Sequence, residues 1–256
     1  MSPQPVRLEI LEDGSLWRVF LATPKANLLD REKVEALSSL FERAGRDPGV
    51  KAILLEGDGP HFSFGASVQE HLPDSFGAML HGFHGLFHRM LDASVVTLAV
   101  VRGQCLGGGL ELAAFCHRIF AAPAAQLGQP EIVLGVFAPA ASVLLTGRMG
   151  RGGAEDLLLS GRSIGAEEAL RRGLVDEVAE DPAQAALDYA RKHLLPRSAS
   201  SLRQVTRAAR AGFDRRFRME LAELERLYRE DLMKTFDAVE GLQAFLEKRA
   251  PSWRNA

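Results

Sequence analysis

Two short, mostly apolar runs rich in β-branched residues, Val50–Leu55 and Val95–Val101, constrain this chain most. Each ends in glycine and small or polar residues. A strand with one wet face alternates apolar and polar positions, whereas one covered on both faces stays apolar, as in a parallel sheet. Helical segments fall between and around these runs. Asp30–Arg43 carries Val34, Leu37, Leu40 and Phe41 at helical spacing, with Asp30 placed to cap its start, and Phe76–Leu91 reads as a second helix. Val6–Ile10 and Leu16–Leu21 flank the turn Asp13-Gly14 as a hairpin, and the helical stretch Leu110–Phe115 precedes a short strand over His117–Ala121. This alternation predicts an α/β core with parallel pairing.

Beyond Ala138 the pattern is mostly helical, with a strand candidate at Leu174–Val178 and helices over Ala183–Leu195, Ser200–Ala211, Phe217–Met233 and Ala238–Lys248. Phe217, Leu221, Leu224, Tyr228 and Leu232 form an apolar stripe on a heavily charged segment. Such a stripe must cover either this domain or a neighbouring subunit.

Charge and cysteine usage narrow the function classes. A net charge of −2 gives no basic field for a nucleic-acid backbone. The two cysteines, Cys105 and Cys116, support no disulfide framework. No apolar run approaches the ~20 residues of a membrane span, and the opening MSPQPVRLEI lacks a secretory pattern. A cytoplasmic location is expected.

Three features suggest chemistry: Phe62-Ser63-Phe64-Gly65-Ala66-Ser67, Gln104-Cys105-Leu106-Gly107-Gly108-Gly109-Leu110-Glu111, and Gly128-Gln129-Pro130-Glu131. The first two are turns leaving buried strands, and the second opens a helix. Ligands of open α/β sheets sit beyond the carboxyl ends of the strands. Free N–H groups there can form an oxyanion hole, and two glutamates in unlike environments can divide acid and base roles. Taken singly, each feature has a plainer reading: a tight-packing glycine turn, a carboxylate in the first turn of a helix, a loop charge. His81, His84 and His88 share a helix face without carboxylate or thiolate partners at ligand spacing, and a solvated or subunit-facing stripe is expected there. The glycine-rich stretch Gly147–Gly153 lacks the ending of a phosphate loop, no GxSxG elbow occurs, and Cys105 fits a small buried packing residue.

The blocks FSFGAS, RGQCLGGGLELA and AAQLGQPEIVLGV, in this order, resemble the crotonase (enoyl-CoA hydratase/isomerase) superfamily, and the likeness runs from Pro24-Lys25-Ala26-Asn27 to Glu247-Lys248-Arg249. The resemblance implies a crotonase-like spiral of ββα turns over residues 1–195 and a C-terminal helical oligomerisation region over 196–256. It implies a homo-oligomer, a trimer or dimer of trimers. Its substrate would be an acyl-CoA thioester, with no metal and no separate cofactor, coenzyme A being part of the substrate. By resemblance, Phe64 and Gly108 supply the oxyanion N–H groups, and Glu111 and Glu131 are the catalytic pair. Lys25, Ala26, Phe64, Gly65, Ala66, Ser67 and Gly108 line the CoA arm. Glu131 is expected to act as main base and acid toward water, with Glu111 orienting it.

Typical hydratases of the family carry alanine at the position of Phe64, aspartate at that of Ser67, and a glycine-rich turn in place of Phe137–Ser142. These departures imply a reshaped acyl pocket. With HFSFGAS and GQPEIVLGVFAPAAS they resemble the hydratases of cyclohexa-1,5-diene-1-carbonyl-CoA in anaerobic benzoyl-CoA breakdown. The activity implied is 1,4-addition of water, giving 6-hydroxycyclohex-1-ene-1-carbonyl-CoA. The alternatives are a general enoyl-CoA hydratase, another acyl-CoA enzyme of the superfamily, or a non-catalytic CoA- or RNA-binding member.

Overall fold

The computed structural model describes residues 4–22 and 26–256. Strands β1 (Val6–Leu11) and β2 (Leu16–Leu21) form the antiparallel hairpin read around Asp13-Gly14. The chain continues through α1 (Arg31–Arg46), β3 (Ala52–Gly57), α2 (Phe76–Ala93) and β4 (Val96–Val101). Then come β5 (Gln104–Leu106), α3 (Gly108–Phe115), β6 (Arg118–Ala121) and β7 (Gln126–Gly128). The Asp30 carboxylate accepts the Lys33 N–H at 3.0 Å, capping α1 as expected.

The helical half comprises α4 (Pro139–Ser160, broken at Gly150), β8 (Ser163–Gly165), α5 (Ala166–Arg171), β9 (Glu177–Val178), α6 (Pro182–Tyr189), α7 (Ala199–Glu230) and α8 (Phe236–Leu246). Only the last two residues of the strand expected at Leu174–Val178 are extended. The two helices expected on either side of Gly212 are one continuous α7. Gly212 meets nothing within 4 Å, so it lies on an open helix face and terminates nothing.

The main sheet has the order β1-β2-β3-β4-β6-β9, and every pairing after the hairpin is parallel. Both its faces are covered. Ile53, Leu55, Ala99, Val101 and Ile119 join the core shared with α1, α2 and α3, while Ala52, Leu54, Leu98, Val100 and Phe120 pack against α6. Burial on two sides is why these strands read as near-continuous apolar runs. A second, smaller sheet of order β5-β7-β8 stands beside it.

The α7 stripe covers this chain's own core. Phe217 and Leu221 are buried, and the Phe217 ring lies 5.2 Å from Phe115 and 5.9 Å from Phe87. It is therefore not a surface left for a neighbouring subunit. Among the described residues no helix is long and apolar enough to cross a membrane.

Candidate active site

The second sheet brings the three sequence features into one place. Ser63 bridges Cys105 in parallel, and Cys105 in turn pairs with Leu127 in parallel. Each feature thus leaves one rung of a common ladder, and the three exits stack in register. Three residues beyond the rung stand Ala66 on the first strand and Gly108 on the second; one residue further along the third stands Glu131.

The same backbone device operates in the first two exits. Gly65 has φ +97° and Gly107 has φ +53°, a region L side chains rarely adopt. Each turns the following N–H out of the ladder. A methyl group on Gly65 would lie 3.2 Å from the Gly108 nitrogen, and one on Gly108 would lie 3.2 Å from the Ala66 nitrogen, so the two amides are neighbours. Among the described residues neither N–H has a backbone or side-chain acceptor. Gly108 also begins α3, which adds the positive end of a helix dipole.

This geometry corrects the role expected of Phe64. Its N–H still points along the ladder and donates to the Ala26 carbonyl at 3.0 Å, so it is not free. Phe64 is 40% exposed, and its ring stands edge-on to His61 at 5.0 Å. The open N–H beside that of Gly108 belongs to Ala66. Matching Gly65 to Gly107 as equivalent turn glycines would have found it in the sequence, because the free amide follows the left-handed glycine in both. Ser63, fully buried, secures the first turn: its hydroxyl donates to the Asn27 carbonyl at 2.7 Å and accepts the Gly65 N–H at 3.0 Å. Ser67 opens the short turn Val68–His71, and its carbonyl lies 2.8 Å from His71 Nδ1. Lys25 lies outside the described residues.

Glu111 sits in the first turn of α3, its N–H bonded to the Gly107 carbonyl, and is 4% exposed. Its carboxylate accepts the Ala141 N–H at 2.7 Å. Ala141 lies in the first turn of α4, whose preceding residue, Ala138, has no capping side chain. Glu111 therefore caps α4 from another helix, and the segment Phe137–Ser142 works here as a carboxylate holder. Burial raises the Glu111 carboxyl, while nearby His84 and the Ala141 and Ala140 N–H groups pull it back toward the ionised form. His84 is buried rather than part of a solvated stripe, with Nδ1 2.5 Å from Glu225 on α7.

Glu131 belongs to the turn Pro130–Leu134. Its Oε1 approaches Gly107 so closely that a methyl group there would sit 2.6 Å away. Gly107 thus touches the carboxylate of one glutamate and accepts the backbone N–H of the other. Among the described residues the fully covered Oε2 atom has no hydrogen-bond partner, and the buried Gln129 amide beside it makes no hydrogen bond of normal geometry. Burial, then the charge of Glu111, pushes the Glu131 carboxyl up to about 8. The two carboxyls thus differ: one is held by helix N–H groups, while for the other burial and the neighbouring charge outweigh the pull of its own backbone N–H and the Gln129 amide. Such a pair can carry one proton between them at neutral pH.

A cleft of about 250 Å³ between α1 and α2, lined by Leu29, Arg31, Val34, Met79, Gly82 and Phe83, opens beside the turns. Leu29 bridges Ala66, and a methyl group on Gly108 would meet the Phe83 ring at 3.3 Å. Cys105, fully buried, has its thiol pushed well above the usual range by burial, which removes it as a nucleophile at neutral pH.

The enoyl-CoA hydratase/isomerase family matches residues 12–256 of the chain. A cyclohexa-1,5-dienecarbonyl-CoA hydratase of Thauera aromatica is 53% identical over 251 residues, covering 98% of this chain and 97% of the relative. A probable enoyl-CoA hydratase of Mycobacterium bovis is 35% identical over 92% of this chain and 93% of its own length. Among solved structures, an enoyl-CoA hydratase/isomerase of Pseudoalteromonas atlantica superposes with a TM-score of 0.86 at 25% identity, covering 97% of this chain and 99% of its own.

Proposed function

The chain belongs to the enoyl-CoA hydratase/isomerase family, and from that premise we propose that it hydrates cyclohexa-1,5-diene-1-carbonyl-CoA by 1,4-addition. The product is 6-hydroxycyclohex-1-ene-1-carbonyl-CoA, a step of anaerobic benzoyl-CoA breakdown. The observation that carries water addition is the glutamate pair with unlike environments around Gly107, facing two free amides. Likeness to the Thauera hydratase over 98% of the chain supports the cyclic diene over linear enoyl-CoAs.

In this reading the thioester oxygen sits between the Ala66 and Gly108 N–H groups. Water attacks ring carbon 2, the β position, and the electron pair moves onto the thioester oxygen. Each amide donor is worth about 2.7–4 kcal/mol of barrier in comparable sites. Glu111, the more readily ionised carboxyl, takes the proton from water. Glu131, which holds its proton up to about 8, returns one to the substrate. This differs from the expectation that Glu131 is the main base as well as the acid toward water. The dienolate carries charge at the α carbon and at ring carbon 5, and protonation at carbon 5 leaves the conjugated product. The CoA arm runs past Gly65–Ser67 toward the α1–α2 cleft. No further cofactor enters the scheme.

Turnover of the cyclic dienoyl-CoA should exceed that of crotonyl-CoA by at least tenfold in kcat/KM, a difference of about 1.4 kcal/mol in transition-state binding. Equal or reversed preference would favour the general enoyl-CoA hydratase reading.

The protein is proposed to work in the cytoplasm as a homo-oligomer, a trimer or a dimer of trimers. With the α7 stripe buried internally, the support comes from exposed apolar side chains elsewhere. These are Val133 at 59% and Leu159 at 74% beside the Glu131 turn, and Val205 and Met219 on the outer side of α7. Light scattering at micromolar concentration should return a multiple of 27.9 kDa; the monomer mass would contradict the assembly.

A further inference from the structure

Tyr228, on α7, is 1% exposed, yet its hydroxyl has no hydrogen-bond partner among the described residues. Buried polar groups nearly always find partners, and an orphan needs a reason. The ring is held firmly, 5.3 Å from Phe137 and 5.9 Å from Phe76, in an apolar cluster with Leu80 and Val136. Phe137 belongs to the segment that carries the holders of Glu111, and Leu134 of the same cluster belongs to the turn that carries Glu131. Burial disfavours the phenolate, and the hydroxyl lies close enough to Glu131 and Glu111 for both charges to add to that effect. It therefore stays a neutral donor. Three of the orphaned polar groups among the described residues thus belong to the neighbourhood of the glutamates: Glu131 Oε2, the Gln129 amide and the Tyr228 hydroxyl.

We propose that the Tyr228 hydroxyl is a third catalytic group of the acyl pocket, donating a hydrogen bond to the oxygen added to the substrate, first as water and then as the product hydroxyl. The inference rests on the hydration reading and deepens it. A water between two carboxyls has hydrogen atoms to give them but needs a donor to fix its lone pairs. Of the orphaned side-chain donors around the pair, the Gln129 amide is turned to the Glu131 carboxyl, which leaves the phenol to face the added oxygen. After addition, the same bond recognises the hydroxyl at carbon 6, so the pocket should distinguish hydroxylated from unhydroxylated ring thioesters. A site built to bond a hydroxyl discriminates strongly against analogues lacking it.

The test is Tyr228→Phe, which keeps the ring packing and removes only the orphaned oxygen. The variant should melt at or above the wild-type temperature, since the folded state loses an unsatisfied buried group. Its hydration kcat should fall by about tenfold or more while KM for the diene stays within about threefold. Calorimetry should show the affinity for 6-hydroxycyclohex-1-ene-1-carbonyl-CoA falling by about tenfold, with that for cyclohex-1-ene-1-carbonyl-CoA unchanged. Unchanged kcat together with unchanged product affinity in a folded variant would overturn the proposal. The binding comparison needs no turnover. A wild type that fails to hydrate the diene would sink the proposed function, while the hydroxyl-dependent affinity would still decide Tyr228.

Discussion

Glu131→Gln is expected to lower hydration by about 10²–10⁴-fold with the fold intact, the usual contribution of a general acid–base group. The carboxyl is nearly isosteric with the amide, and its Oε2 makes no hydrogen bond that the fold would lose. What disappears is the proton that Glu131 holds up to about 8. Glu111→Gln should lose a similar factor, because the amide carbonyl can still accept the Ala141 N–H but cannot take a proton from water. Since the pair works on one water, the double variant should be little worse than either single one. Wild-type kcat/KM should decline as pH rises through about 8, as the pair loses its shared proton. Glu131→Gln should abolish that limb. A variant with wild-type turnover, or an alkaline limb that survives the substitution, would remove Glu131 from the chemistry.

Gly107→Ala should cost about 10²-fold in kcat, the scale of a misplacement near 1 Å in an active site. Two effects coincide at this residue. Its φ of +53° is strained for any side chain, and a methyl group would stand 2.6 Å from Glu131 Oε1. The carboxylate would have to move. Gly212→Ala is the contrasting control. It lies in α7 with nothing within 4 Å, so the same change should stabilise by about 0.4–1 kcal/mol and leave kcat alone. Kinetics and melting curves of the two variants check both signs. Full activity in Gly107→Ala would mean that the close contact with Glu131 does not hold the pair in place.

The parallel core was legible because β3 and β4 are buried on both faces and so stay apolar along their length. The small sheet was not. The strands β5, β7 and β8 have three residues each, too few for a period-2 pattern to declare itself. That sheet sets the register of the three motifs, and only with it in view is the Phe64 N–H, expected by resemblance to be an oxyanion donor, seen to be bonded while that of Ala66 is open. The glutamates were legible through their glycine-rich and proline contexts, but their unlike protonation depends on Ala141 and on burial, which no local pattern reveals. Tyr228 was read as one apolar member of a stripe. Its polar end was the available signal, and only the fold shows where that end points. The break expected at Gly212 failed because an exposed helical glycine costs about 0.8–1.0 kcal/mol, too little to end a helix anchored by Phe217 and Leu221.

The most direct test of the account is product analysis after hydration of the cyclic dienoyl-CoA in deuterium oxide. The account predicts one deuterium at ring carbon 3 of the product, counted from the thioester-bearing carbon along its double bond, with the hydroxyl at carbon 6. Deuterium on the thioester-bearing carbon, with one isolated double bond remaining, would show ordinary 1,2-hydration and contradict the 1,4-addition proposed for this pocket.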